Sequence, residues 1–66
     1  MISKKERHDA EKAARQLYQD VLKVDVKEDP DDESSLRIII TRGVKMPEMR
    51  LDRNATNPVL KVAKKG

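Results

Sequence analysis

The chain has 66 residues, of which 36% are apolar and 41% charged, and it contains no Cys and one His. A chain this short forms at most one small domain with a marginal core, because it buries only about 60% of the surface that its unfolded form exposes. The absence of Cys excludes a disulfide framework and thiolate metal sites. Fifteen Lys and Arg residues against 12 Asp and Glu give a net charge of +3, a modest excess for a nucleic-acid-binding protein.

The first predicted element is an amphipathic helix that begins near Ser3 and continues to Val24. Ser3 and Glu6 have the spacing of a capping box, in which each side chain accepts a hydrogen bond from the backbone of the other residue. Apolar residues then recur at helical spacing and predict one buried stripe, formed by Ala10, Ala14, Leu17 and Val21 and flanked by Ala13, Tyr18 and Val24. The alanines keep the stripe thin, which allows close approach to a sheet or to a second copy of the helix.

Residues 25–34 are predicted to form a mobile acidic connector. Pro30 lacks the amide donor that a continuing helix needs, and the clustered carboxylates repel one another. The segment also lacks the central Gly and the ligand spacing of a calcium-binding loop. The sequence therefore predicts no metal site here.

A β-hairpin is predicted after the connector. The first strand has period-two alternation and β-branched residues, and its core-facing residues are Leu36, Ile38 and Ile40. Gly43 can supply the positive φ of a short turn, and a wider loop running to Pro47 fits the sequence equally well. The second strand is predicted over roughly 46–53, with Met49 and Leu51 facing the core.

The C-terminal segment is predicted to form a short helix. Asn57 can cap it, Pro58 suits its first position, and the helix would continue through Lys65. Val59 and Val62 leave a third strand open as the alternative. The whole chain, 1–66, is thus predicted to be a single α+β domain of αββα order, in which the N-terminal helix covers one face of the hairpin.

Catalytic arrangements are missing from the sequence. The single histidine, His8, lies on the predicted polar face of the helix, and the glycines do not form a phosphate-binding loop. We therefore expect a protein that is not an enzyme and that binds no cofactor. A binding function remains.

The first binding hypothesis is a regulatory protein that contacts duplex nucleic acid through a basic hairpin. Arginine forks bind phosphate oxygens in a bidentate manner, and a two-stranded ribbon fits the major groove of DNA. The candidate contacts are Arg37, Arg42, Lys45, Arg50, Arg53 and Lys61. Because Tyr18 is the only aromatic residue available for stacking, duplex is favoured over single-stranded nucleic acid.

The alternative hypothesis is a protein-binding modulator that docks on a larger machine, such as one that processes nucleic acid, as small phage or plasmid proteins do. An open strand edge can be extended by a partner, and exposed Met adapts to varied surfaces. The candidate contacts are Ile39, Met46, Met49, Asp31 and Asp32.

Location and self-association complete the expectations. No apolar run resembles a secretory signal or approaches the roughly 20 residues of a membrane span, so we expect no membrane contact and a cytoplasmic protein. An open edge of the hairpin could also pair with a second copy, which makes a homodimer possible.

Overall fold

The computed structural model describes residues 1–54, 56–57 and 59–63. Within this part of the chain, one helix is followed by four strands. The elements are α1 (Lys4–Leu17), β1 (Lys23–Glu28), β2 (Ser35–Thr41), β3 (Met49–Asp52) and β4 (Leu60–Val62). The strands form an antiparallel sheet in the order β1-β2-β3-β4. The predicted α+β class is confirmed.

Helix α1 begins where the capping box predicts. The Ser3 hydroxyl accepts a hydrogen bond from the Glu6 backbone N–H at 3.1 Å, and the Glu6 carboxylate accepts one from the Ser3 N–H at 2.9 Å. The predicted extension to Val24 is wrong, because the helix ends at Leu17 and Tyr18 adopts an extended backbone. Residues beyond Leu17 instead lead into a strand, where pairing with β2 replaces the helical hydrogen bonds.

Strand β1 occupies much of the predicted acidic connector. Residues 25–28 pair with β2, with Val26 opposite Ile38. Asp29, the next residue, is buried. The assignment of 25–34 to a connector is therefore wrong for its first half, because the alternation of valines with charged residues suits the edge of a sheet.

The β2–β3 connection is the wider of the two predicted loops. Strand β2 matches the prediction, but Gly43 does not have a positive φ, and residues 42–48 separate the two strands. Pro47 lies in this loop, so β3 begins at Met49 rather than near residue 46. Pro47, which has no backbone N–H to donate to a neighbouring strand, therefore lies outside the sheet.

The predicted C-terminal helix is wrong over the residues that the structure describes. Leu60–Val62 form strand β4, the open alternative, and Leu60 lies opposite Leu51 of β3. Pro58, Lys64 and Lys65, which the helix prediction included, are outside the described residues. Pairing with β3 buries Leu60, which an isolated short helix could not do.

One apolar core lies between α1 and one face of the sheet. Its buried members are Ala10, Ala13, Ala14, Val21, Leu36, Ile38, Ile40, Met49, Leu51 and Leu60. Leu17, predicted in the buried stripe, is instead more than half exposed, because it lies at the end of the helix beside the edge of the sheet. Among the described residues, no helix has the length and apolar character needed to cross a membrane.

Candidate interaction surfaces

A row of cations crosses the outer face of the sheet, on the side away from α1. In the strand register, Lys27 faces Arg37, Arg37 faces Arg50, and Arg50 faces Lys61. The sheet therefore brings together three of the predicted nucleic-acid contacts. Like charges directly opposite each other on neighbouring strands are destabilising unless a counter-charge separates them.

Asp29 supplies that counter-charge for the two arginines. Its Oδ1 accepts a hydrogen bond from Arg37 Nη2 at 3.1 Å, and its Oδ2 accepts one from Arg50 Nε at 2.7 Å. The Asp29 side chain is 0% exposed. A hydrogen bond from the Asp31 backbone N–H, together with the two arginines, holds the pKa of Asp29 below its ordinary value.

Arg37 contacts two further carboxylates besides Asp29. Its Nη1 donates to the Glu48 carboxylate at 2.9 Å, and Asp31 lies 3.5 Å from its Nη2. These interactions, led by the hydrogen bond to Glu48, raise the pKa of Arg37. Its Nε is buried with no hydrogen-bond partner among the described residues. Arg37 is therefore a buried structural cation.

Arg42 and Arg53 form separate ion pairs that join distant parts of the chain. Arg42 binds Asp20 through Nε at 2.7 Å and Nη2 at 3.2 Å, and its guanidinium lies 4.3 Å from the centre of the Tyr18 ring. Arg53 binds Glu6 through Nε at 2.6 Å. These contacts fix the end of the β2 strand and the start of α1, respectively, to segments far away in sequence.

The predicted basic surface is thus largely neutralised within the chain. All four predicted arginines have carboxylate partners, and Lys45 and Lys61 remain as exposed members of the set. The carboxylates that accept hydrogen bonds from these arginines are Asp20, Asp29, Glu6 and Glu48, none of which the sequence identified as a partner of these arginines. Their pairing depends on strand register and loop packing, and no local sequence pattern encodes it.

The residues of the predicted protein-binding set do not form one surface. Met49 shares the core face with its cross-strand neighbour Ile38 and is buried, whereas Ile39 points to the other face. Met46 is half-buried in the β2–β3 loop, where its sulfur accepts a hydrogen bond from Arg42. Asp31 and Asp32 are exposed, but Asp32 binds the hydroxyls of Ser34 and Ser35.

An apolar groove that the sequence did not predict lies between α1 and β4. It has a volume of about 220 Å³ and is lined by Ala13, Gln16, Leu17, Val59 and Leu60. Val62 lies on the same side of the sheet, because it faces the core residue Met49. Leu17, Val59 and Val62 are each more than half exposed. The groove therefore presents aliphatic surface to solvent along the β4 edge.

The groove is smaller than a typical small-molecule site. Its volume is below the roughly 300 to 1,000 Å³ typical of small-molecule sites. No group of three or more His, Cys, Asp or Glu residues in the described ranges is placed to hold a metal ion. Aliphatic side chains are the ligands that suit its lining.

The Arg53–Glu6 pair makes a testable contribution to acid stability. The hydrogen bond from Arg53 lowers the pKa of Glu6 from 4.5 to about 2. Stability that depends on the Glu6 carboxylate is therefore complete above pH 4.5 and is lost as the pH falls towards about 2. We expect Glu6→Gln to lower the Tm at neutral pH. As the pH falls from 4.5 to about 2, the difference in Tm between the variant and the native protein should disappear. Thermal unfolding followed by circular dichroism measures both.

Glu11→Gln is the matched control for this prediction. Glu11 also lies on α1 and pairs with an arginine, Arg15, but both side chains are about half exposed. The control should have a Tm close to that of the native protein at every pH. A Glu6→Gln deficit that stays constant down to pH 2 would show that Arg53 does not stabilise the ionised carboxylate.

Comparison with protein families, with curated proteins and with solved structures finds no match to this chain.

Proposed function

We propose that this protein is an accessory module that binds another protein, whose aliphatic side chains enter the groove between α1 and β4. The observation that carries the proposal is the grouping of Leu17, Val59 and Val62, three exposed aliphatic residues, along one side of the fold. Solvent-exposed aliphatic groups that lie together mark interaction sites more often than isolated ones do. The regulatory role and cytoplasmic location expected from the sequence belong to the same proposal.

The charge distribution supports a protein partner over duplex nucleic acid. Binding to duplex depends on cations that are available to neutralise phosphates. Here Arg37 and Arg50 share Asp29, and Arg42 is held by Asp20 in a two-pronged contact. Phosphate would have to displace these carboxylates. Of the six predicted contacts, Lys45 and Lys61 alone have no carboxylate partner among the described residues, and two lysines give only a weak, non-specific attraction.

The groove is tested by adding a charge to it without altering the core. Leu17→Lys places an ammonium group at the end of α1, where a cation is compatible with the helix dipole and the native side chain is exposed. Tagged native and variant proteins would be used to capture partners from a lysate of the producing organism, with quantitative mass spectrometry as the readout. We expect at least one protein to be retained by the native chain and reduced about tenfold or more by the substitution.

Val44→Lys is the matched control, because Val44 is similarly exposed but lies in the β2–β3 loop outside the groove. It makes the same change in charge and should retain the same partner. If every captured protein is equally reduced by both variants, or by neither, the groove is not the binding site.

A further inference from the structure

We infer that a second copy of this chain binds along the outer edge of β1, so that the two sheets join in a continuous antiparallel sheet across a twofold axis. Strand β1 has six residues and a neighbour on one side, β2, in the described sheet. Proline is absent from the strand, and a strand edge of this kind offers unpaired backbone groups to another chain. This inference uses the edge opposite to β4 and is independent of the proposed function.

The backbone determines which groups of β1 face outward. The Asp29 N–H donates to the Ser35 carbonyl, so Asp29 points its backbone groups towards β2. Because backbone groups alternate in direction along an antiparallel strand, those of Glu28, Val26 and Val24 point away from β2. These residues would supply the hydrogen bonds to a second copy.

The side-chain charges then select the register. On the outer face, β1 carries Lys23, Asp25 and Lys27, whose cross-strand partners on β2 include Ile39 and Arg37. If Asp25 faces Asp25 of the second copy, Lys23 faces Lys27, and every outer pair is a like-charge pair. Shifting the pairing so that Val26 faces Val26 brings Asp25 opposite Lys27 twice. Opposite charges in directly facing positions stabilise such pairs, whereas like charges oppose them.

A third register is disfavoured by the end of the strand. If Val24 faced Val24, Asp25 would meet Lys23, but Leu22 would have to donate its N–H to the second copy. That N–H already donates to the Thr41 carbonyl at 2.8 Å. The register centred on Val26 keeps every hydrogen-bonding residue within the strand and also brings together the Val26 side chains of the two copies, which are only half-buried in the single chain.

The charged groups around this edge are compatible with the register. Lys23 lies 3.7 Å from Asp25 within the chain, so Asp25 would lie between its own Lys23 and Lys27 of the second copy. In this register Glu28 faces Val24 of the second copy. The negative charge of Glu28 is partly balanced by Arg53 and by the N-terminal amine of its own chain. Pairing of this size is small for a dimer interface, so the association should depend on concentration.

The test is a pair of charge reversals examined by sedimentation equilibrium from about 10 μM to about 1 mM protein. Asp25→Lys places lysine against Lys27, and Lys27→Asp places aspartate against Asp25. We expect each variant alone to weaken dimerisation about tenfold or more, and an equimolar mixture of the two to form a heterodimer at least as strong as the native dimer. Rescue by mixing cannot arise from a folding defect in either variant.

Lys23→Asp is the matched control on the same face of the same strand. In the proposed register it leaves both Asp25–Lys27 pairs in place, so it should weaken dimerisation far less than Lys27→Asp does. If the native protein stays monomeric at every concentration measured, the proposal is wrong, and a strand of another protein becomes the alternative binding partner for this edge. A mixture that stays monomeric, or a loss caused by Lys23→Asp but not by Lys27→Asp, would overturn the register.

Discussion

Replacing Asp29 with asparagine is expected to lower the Tm by on the order of 10 °C. The carboxylate is fully enclosed and accepts hydrogen bonds from Arg37 and Arg50, which face each other on neighbouring strands. Asparagine has a similar shape but no charge, so the two guanidinium groups would remain close together without a counter-ion. The Nε of Arg37 is already buried without a hydrogen-bond partner, and the substitution would also weaken the hydrogen bond that its Nη2 donates to residue 29.

Asp31→Asn separates this role from a general effect of acidic charge. Asp31 belongs to the same segment and lies 3.5 Å from Arg37, but its side chain is 76% exposed. Its removal should shift the Tm by no more than about 2 °C, since exposed ion pairs contribute little. Thermal unfolding followed by circular dichroism measures both variants. Equal effects of the two substitutions would contradict the role of Asp29 as the central counter-ion.

Replacing Ile38 with alanine is expected to cost about 2–5 kcal/mol of the free energy of unfolding. Ile38 is 0% exposed and lies in the central strand pair, opposite Val26 of β1 and Met49 of β3. A domain of this size has a total stability of roughly 3–10 kcal/mol, so the loss could unfold a large fraction of the chain. Urea denaturation measures the change directly.

Ile39→Ala is the control for the same chemical change one residue further along β2. Its side chain points to the opposite face and is only half-buried, so we expect a cost near 1 kcal/mol. Comparable losses for the two substitutions would mean that the core does not lie on the face that α1 covers. This pair of variants therefore tests the register of the central strand as well as its packing.

Two features of the fold follow directly from local sequence patterns. The alternation around Ile38 predicts β2 and its buried face, because only one periodicity fits those residues. The Ser3–Glu6 capping box predicts the start of α1 for a similarly local reason. Both signals lie within a few residues and need no knowledge of the rest of the chain.

Other features depend on contacts between distant residues. Leu17 and Val21 continue the helical spacing, whereas Val24 and Val26 alternate with charged residues, as in a strand. Local sequence fits a helix and a strand equally well here, and the pairing with β2 favours the strand. The role of Asp29 could not be predicted, because Arg37 and Arg50 meet only when β2 and β3 adopt their register. The sequence analysis treated Arg37 and Arg50 as available to bind phosphate, whereas in the fold both donate hydrogen bonds to Asp29.

We propose that these arginines stabilise the fold and do not serve as phosphate ligands. Fluorescence anisotropy of a labelled DNA duplex, titrated with the native protein at about 50 mM and about 200 mM salt, tests it most directly. We predict no saturable binding at micromolar protein at either salt concentration. Micromolar binding that falls about a thousandfold between the two, and that is lost in a folded Arg50→Gln variant, would contradict the claim and favour the basic-hairpin hypothesis.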